Sequence, residues 1–171
     1  MKKIFLTGPD VFYPDAEKVM EEKKALCRKY GAEGISPLES ENADPEGERM
    51  TKVIMQGNLE KNYKCDIVLA NCNDFRGADM DSGTAVDIAA GYFYGKQIYG
   101  YIDDLASMKE RVRKHGGKPI GNNYVDQQGF KAEPFGNPIN LMPYEMILER
   151  GELIQGNLED ALKYLKQKNI I

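Results

Sequence analysis

Short apolar runs alternate along this chain with longer segments of helical periodicity. Residues 2–6 form a brief apolar run ending in Thr7-Gly8-Pro9, the pattern of a buried strand that enters a loop. Pro14 and Asp15 open a helical stretch to Tyr30, with Val19, Met20, Leu26 and Cys27 roughly on one face, and Gly31 stops it. Residues 32–36 read as a second strand, ended by Pro37. Residues 39–48 are acidic and carry Pro and Gly, which predicts a mobile surface loop. Residues 51–63 are helical in pattern. Asp66-Ile67-Val68-Leu69-Ala70-Asn71 is the strongest strand signal, apolar and β-branched. A polar loop over 73–81 leads into a helix over 83–94, stopped by Gly95. Residues 97–102 make another strand and 104–114 a charged helix. Residues 116–143 are rich in Gly, Asn and Pro and show little periodicity. A final amphipathic helix spans 158–166, with Leu158, Leu162 and Leu165 on one side.

Strands alternating with helices predict an α/β fold: one domain over 1–171, built on a five-stranded, mainly parallel sheet with helices on both faces, flavodoxin-like or Rossmann-like. In such sheets ligands sit outside the carboxyl ends of the strands, where the strand order reverses. The loops at 7–14 and 72–81 are therefore where chemistry is expected.

Composition narrows the partners. A net charge of −4 leaves no excess of basic groups to neutralise phosphates, so a nucleic-acid partner is not expected. No apolar run approaches the ~20 residues that span a bilayer, and polar residues follow the first lysines at once, so a membrane partner is not expected and the cytoplasm is the expected location. Three cysteines, Cys27, Cys65 and Cys72, are an odd number without a C-x-x-C pair, which suggests neither a disulfide framework nor a zinc site. Cys27 and Cys65 lie in apolar-patterned segments and read as packing residues. His115, the one histidine, stands in a basic Gly-containing stretch that looks like a solvated helix end. Neither a metal nor a cofactor is expected.

The segment with the richest chemistry is Asp79-Met80-Asp81-Ser82-Gly83-Thr84-Ala85-Val86-Asp87-Ile88-Ala89-Ala90-Gly91-Tyr92. Asp81 stands where a helix N-cap is expected, with Ser82 and Thr84 as alternatives. Asp87 follows six residues later among small and apolar neighbours, with no cation nearby in sequence. A carboxylate in such surroundings is costly unless it is used or hydrogen-bonded. By itself the segment reads equally as a helix-surface aspartate beside an ordinary cap and as a functional carboxylate.

Four blocks resemble the nucleoside 2-deoxyribosyltransferase family, in the family's order and across residues 3–142. They are Lys3-Ile4-Phe5-Leu6-Thr7-Gly8-Pro9 with Phe12; Asp66-Ile67-Val68-Leu69-Ala70-Asn71; Asp81-Ser82-Gly83-Thr84-Ala85-Val86-Asp87-Ile88 with Gly91 and Tyr92; and Asn137-Pro138-Ile139-Asn140-Leu141-Met142. The last two are the specific ones. The resemblance implies cleavage of the N-glycosidic bond of a 2′-deoxynucleoside through a covalent deoxyribosyl-enzyme, and transfer of the sugar to another base or to water.

It also implies roles. Asp87 takes the nucleophile's position, where the family usually has glutamate; aspartate is one methylene shorter, so the sugar must sit nearer the helix. Asp81 takes the position of an acid that contacts the base, for proton transfer or a polar contact. A second family acid aligns with Asn58, which can hydrogen-bond a base but cannot protonate it. A tyrosine that in some members holds the nucleophile is here Phe5, with Tyr92 or Tyr94 as substitutes if they are not simply helix packing. Gly8, Pro9 and Phe12 on the first loop, and Ser82 and Gly83 at the start of the helix, are expected to bind substrate. Asn140 matches an asparagine that reaches into a neighbouring subunit's site, against the alternative of a turn-forming Asn beside Pro138. With Met142 it implies a homo-oligomer, a dimer or an assembly of dimers, with Asn140 acting in trans.

Other readings compete. Asp79-Met80-Asp81-Ser82-Gly83-Thr84 also looks like the phosphatase signature D-x-D-G-T, but it does not follow directly on the first strand and an extra Ser splits it. A nucleoside 5′-monophosphate N-glycosidase would share fold and nucleophile and would need phosphate donors, for which the Thr7-Gly8 loop, Ser82 and Arg76 are candidates. Arg76 could face a ligand but reads first as a residue that solvates its loop. A nucleotide-binding sensor without catalysis would keep the fold alone.

Overall fold

A computed structural model describes residues 1–39 and 49–171. The acidic loop expected over 39–48 lies, Glu39 apart, outside the described residues. The elements run β1 (Lys3–Thr7), a 3-10 turn (Pro9–Phe12), α1 (Ala16–Tyr30), β2 (Glu33–Ile35), α2 (Met50–Lys64), β3 (Ile67–Asn71), α3 (Ser82–Phe93), β4 (Gln97–Ile102), α4 (Met108–Lys114), β5 (Lys118–Ile120), β6 (Asn123–Val125), α5 (Leu141–Arg150), β7 (Gly151–Gln155) and α6 (Leu158–Gln167). Five strands form one sheet in the order β2-β1-β3-β4-β7, and each neighbouring pair is parallel. This is the α/β architecture expected.

The two-residue period of the strands divides the core. Ile4, Leu6, Ile67, Leu69, Tyr99 and Tyr101 face α1 and α6, where Met20, Cys27, Leu158, Ala161, Leu162 and Leu165 meet them. Phe5, Val68, Ala70, Ile98 and Ile102 face the other way, onto Ile88 of α3 and Ile147 of α5. Gly31 ends α1 at φ 92° and its N–H bonds back to Cys27 and Arg28, as its position predicts. All three cysteines are buried and free, and burial pushes the Cys27 and Cys65 thiols up to about 11 and Cys72 to about 12.

The structure departs from the expected elements in the C-terminal half. The alternation over 2–102 accounts for four strands; the fifth, β7, lies beyond it. Only Leu153 of β7 is buried, so this edge strand carries little apolar signal. Gly151 is required there for space rather than for its φ: a Cβ would lie 1.9 Å from the main-chain oxygen of Ile98. Helix α5 hides behind Pro143, which sits in its first turn, where a missing N–H breaks no intrahelical bond. Helix α4 starts at Met108, not at 104: Ser107 is the cap and accepts from the Glu110 N–H, while Asp104 folds onto the Ala106 N–H in the preceding loop. Within the stretch 116–143, β5 and β6 pair as an antiparallel hairpin. Gly121, at φ 57°, opens its two-residue loop Gly121-Asn122, a known hairpin signal.

Candidate active site

The sheet reverses its order between β1 and β3, and the site is built where these two strands end. The chain leaves β1 at Thr7 and passes β3 at very close range: a Cβ on Gly8 would lie 2.6 Å from Asn71 Cβ and 2.6 Å from Asp10 Oδ2. Only glycine allows that approach. The turn that follows is tied across the crevice. Asn71 Nδ2 donates to Asp10 Oδ2 at 3.0 Å, and Lys23 Nζ, 2.5 Å from the same oxygen, donates also to the Tyr101 hydroxyl at 2.9 Å. Asp10 and Lys23 are both largely buried, so the loop that carries Gly8, Pro9 and Phe12 is pinned from below by an ion pair.

Helix α3 brings the two carboxylates. Asp81 is its N-cap, 7 % exposed, and its Oδ2 accepts from the Thr84 main-chain N–H at 2.8 Å and from Thr84 Oγ1 at 2.9 Å. Both bonds fall on one oxygen, so Oδ1 has no protein partner among the described residues and is available to a ligand. Asp87, almost two turns on, is half-buried, and Thr7 Oγ1 donates to its Oδ2 at 2.6 Å. Burial is the largest influence on Asp87 and pushes its carboxyl up to about 6; the Thr7 bond opposes this, the nearby charge of Asp81 adds to it, and Lys61 opposes it.

Thr7 is the residue that sequence reasoning missed. With Phe5 in place of a tyrosine, Tyr92 and Tyr94 were the candidates to hold the nucleophile. Tyr92 donates instead to Glu149 at 2.5 Å, and Tyr94 packs edge-on against Tyr63. Phe5 is fully buried in the core. Thr7 lies two residues after Phe5, hence on the same face of β1, one step nearer the crevice. A short β-branched hydroxyl there reaches the shorter carboxylate of Asp87. The same-face rule, applied to Phe5, would have pointed to it.

Helix α2 supplies two asparagines. Asn62, fully buried, donates from Nδ2 to the main-chain oxygen of Asp87 at 2.7 Å, and its Oδ1 has no partner. Asn58 lies one turn earlier on the same side of the helix, and its Oδ1 is likewise buried without a partner. Ser82 and Gly83 are exposed at the first turn of α3. Phe12 is exposed and stacks on Phe75, ring centroids 5.0 Å apart, with the Arg76 guanidinium 5.2 Å and 4.6 Å from the two rings. The structure therefore brings Asp87, Asp81, Asn58, Ser82, Gly83 and the first loop to one end of the sheet.

Neither Asn140 nor Met142 hydrogen-bonds Asp87 among the described residues. Asn140 caps α5: its Oδ1 accepts from the Met142 N–H at 3.0 Å, its Nδ2 donates to Glu133 at 2.6 Å, and its main-chain N–H reaches Asp79 at 3.4 Å. Its local role is thus the capping one. Met142 is exposed. His115 caps the end of α4 and bonds Asp74, which also pairs with the buried Arg111. A cavity of about 550 Å³ opens beside the loop 76–79, and neither Asp81 nor Asp87 lines it. Among the described residues no group of three or more His, Cys, Asp or Glu side chains is placed to hold a metal ion.

A parallel sheet with a desolvated carboxylate and a second acid at its switch point is the arrangement of an α/β protein that works on small molecules. The chain matches the nucleoside 2-deoxyribosyltransferase family model over residues 4–142 and belongs to that family. It is similar to a 2-desoxiribosyltransferase from Leishmania mexicana, at 25% identity and a TM-score of 0.71, with 98% of each chain covered. The fold is also that of a CMP N-glycosidase from Clostridium botulinum, with a TM-score of 0.53 over 98% of this chain and 99% of that one, at 14% identity. An uncharacterized protein of Schizosaccharomyces pombe is 29% identical over 116 residues, which cover 66% of this chain and 55% of that relative; the chain spans about half the length of the curated relative it matches.

Proposed function

We propose that this protein is a nucleoside 2-deoxyribosyltransferase, that the whole chain forms one catalytic unit, and that Asp87 is its nucleophile. The observation that carries the reading is the Thr7–Asp87 bond: it fixes a desolvated carboxylate at the switch point, on the helix whose cap is the second acid. Asp87 attacks C1′ of the deoxyribose as the bond from C1′ to the base nitrogen breaks, through an oxocarbenium-like transition state. The departing base takes a proton, and Asp81, with Oδ1 open, is the group beside it. The glycosyl ester on Asp87 is then displaced by the nitrogen of a second base, or by water, which returns the carboxylate and retains configuration. Asn58 contributes a hydrogen bond to the base through its unpartnered amide, and Gly8, Pro9, Phe12, Ser82 and Gly83 frame the nucleoside.

Incubation with 2′-deoxynucleosides, with and without a free acceptor base, tests this directly. Base exchange is expected with the acceptor; hydrolysis confined to 5′-monophosphates would favour the N-glycosidase reading, and no turnover the sensor. The Thr7 hydroxyl is committed to Asp87, so of the Thr7-Gly8 loop only the main chain is left as a phosphate donor for the N-glycosidase reading. The nucleophile acts ionised, and burial raises its carboxyl to about 6. Exchange is therefore expected to fall on acidification through about pH 6, roughly tenfold per pH unit on the acid limb. A flat profile from pH 5 to 8 would contradict an Asp87 nucleophile of that acidity.

The assembly we propose is a homodimer or a group of dimers. Ile54, Met55 and Tyr63 of α2, Val86 and Phe93 of α3, and Met142 at the start of α5 are large apolar side chains left exposed, a surface that a second copy would cover. Asn140 uses one amide hydrogen on Glu133 and one lone pair of Oδ1 on the Met142 N–H, which leaves a second donor and a second acceptor for a partner's site. Light scattering on the eluting protein is expected to give at least twice the 19.3 kDa chain mass; a fully active monomer would overturn action in trans. Three buried free thiols fit a reducing compartment, and the proposed location is the cytoplasm.

A further inference from the structure

The cavity beside the loop 76–79 is lined by neither Asp81 nor Asp87, and it borders the first loop through Arg76, whose guanidinium lies over Phe12. Its floor is a small apolar cluster of Met108 and Val112 from α4 with Ala132, against which Ala78 packs. Its rim carries three acids, Asp79, Asp126 and Glu133, and three bases, Arg76, His115 and Lys131. At about 550 Å³ it falls within the range of small-molecule sites.

The acids keep their charge but turn oxygens to N–H groups of the chain itself. Asp79 accepts from the Met80 N–H at 2.8 Å, Asp126 from the Gln128 and Phe130 N–H groups at 2.9 Å each, and Glu133 from Asn140 Nδ2 and the Leu141 N–H. His115 is held by Asp74. Two cations remain without a carboxylate among the described residues: Lys131, which is exposed, and Arg76, whose only contacts are the faces of Phe12 and Phe75. Arg76 is also one of two non-glycine residues at positive φ among the described residues, at 55°, a conformation side-chain-bearing residues rarely adopt and one that recurs at ligand clamps. Beside Lys131, Phe130 presents an exposed ring at the same rim. A cavity with an apolar floor, carboxylates already engaged, two open cations and an unpaired aromatic ring fits a planar, phosphate-bearing ligand.

We propose that this cavity is a second, non-catalytic binding site for a nucleoside monophosphate, with the phosphate held by Arg76 and Lys131 and the base against Phe130. The bidentate fork of the guanidinium suits a phosphate, and the ring face suits a base of either class. The site does not depend on the reaction assigned to Asp87.

Calorimetric titration of the full chain with AMP, CMP and inorganic phosphate tests the assignment. At least one nucleotide is expected to bind more tightly than phosphate alone. The double variant Arg76→Gln/Lys131→Gln should weaken it tenfold or more, and Phe130→Ala should weaken the nucleotide but not phosphate. The substituted residues are exposed, and a thermal melt checks that each variant folds as the parent does. A saturating 2′-deoxynucleoside, which fills the Asp87 site, should leave the nucleotide's affinity unchanged, which separates this site from the catalytic reading. Binding that a saturating 2′-deoxynucleoside displaces would mean that Arg76 and Lys131 serve the Asp87 site, and would overturn the proposal. So would no binding by any probe, or affinity unchanged in the double variant.

Discussion

Asp87→Asn is expected to abolish base exchange while the protein folds at least as well as the parent. Asparagine is close to aspartate in volume and its amide oxygen can still accept the Thr7 bond, so the geometry at the end of β1 survives. It is a poor nucleophile, and it carries no charge to stabilise an oxocarbenium ion. A loss on the order of a thousandfold or more is expected, equivalent to ~4 kcal/mol of barrier at ~1.36 kcal/mol per factor of ten. Stability should move the other way, and with pH. The Asp87 carboxyl titrates near 6 in the folded chain, against an ordinary value of 3.8. Between these values the folded state binds more protons than the unfolded one, so stability falls as pH rises through the window. Above about pH 6 the folded parent carries a desolvated charge that the variant lacks. The variant's gain in Tm should therefore be largest at pH 7 to 8 and should vanish toward pH 4. Asp87→Glu is expected to keep part of the activity, since it restores the family's usual nucleophile in a site whose holding hydroxyl is placed for aspartate. Wild-type exchange by Asp87→Asn would rule out Asp87 as the nucleophile; a variant that fails to fold would point to a structural role for the carboxylate.

What the sequence made legible follows from which signals are local. β1, β3 and β4 are buried on both faces, so their apolar runs announce them, and Gly31 and Gly95 mark helix ends by their position alone. The Asp81 cap is a local event and was readable as such. β7 and α5 were not. The edge strand β7 has one buried residue, Leu153, with a half-buried Ile154 beside it and Gly, Glu and Gln around them, too short an apolar run to stand out, and a helix with Pro143 in its first turn looks broken to any rule that treats proline as an interruption. The partner of Asp87 was invisible for a different reason. Thr7 and Asp87 are eighty residues apart, and only the parallel pairing of β1 with β3, which sets where α3 begins, brings them together. The Asp10–Lys23 pair has the same character: nothing in the sequence around either residue points to the other, and the fold places them together under the first loop.

That pair carries the second large effect. Lys23→Met should destabilise the fold by about 3–5 kcal/mol, the cost of leaving a buried charge without its partner. Lys23 is only 14% exposed at its side chain and Asp10 9%. Burial works to lower the Lys23 pKa, and Asp10 is the group that opposes it. With the ammonium gone, Asp10 keeps the Asn71 amide, so the lower half of the range is the better expectation, and Tyr101 loses the donor to its hydroxyl. The double variant Asp10→Asn/Lys23→Met should recover much of the loss, because it removes the orphaned charge rather than the packing, and the coupling between the two changes is then read from the cycle. Urea denaturation measures all four proteins. A single variant within about 1 kcal/mol of the parent would mean that the pair contributes no more than a surface salt bridge. Function should follow the loop. Gly8, Pro9 and Phe12 ride on the turn that Asp10 anchors, whereas Asp87 is held by Thr7 from β1. Where Lys23→Met still folds, KM for the nucleoside should rise more than kcat falls; an equal loss in both would mean that the ion pair positions the nucleophile as well as the loop.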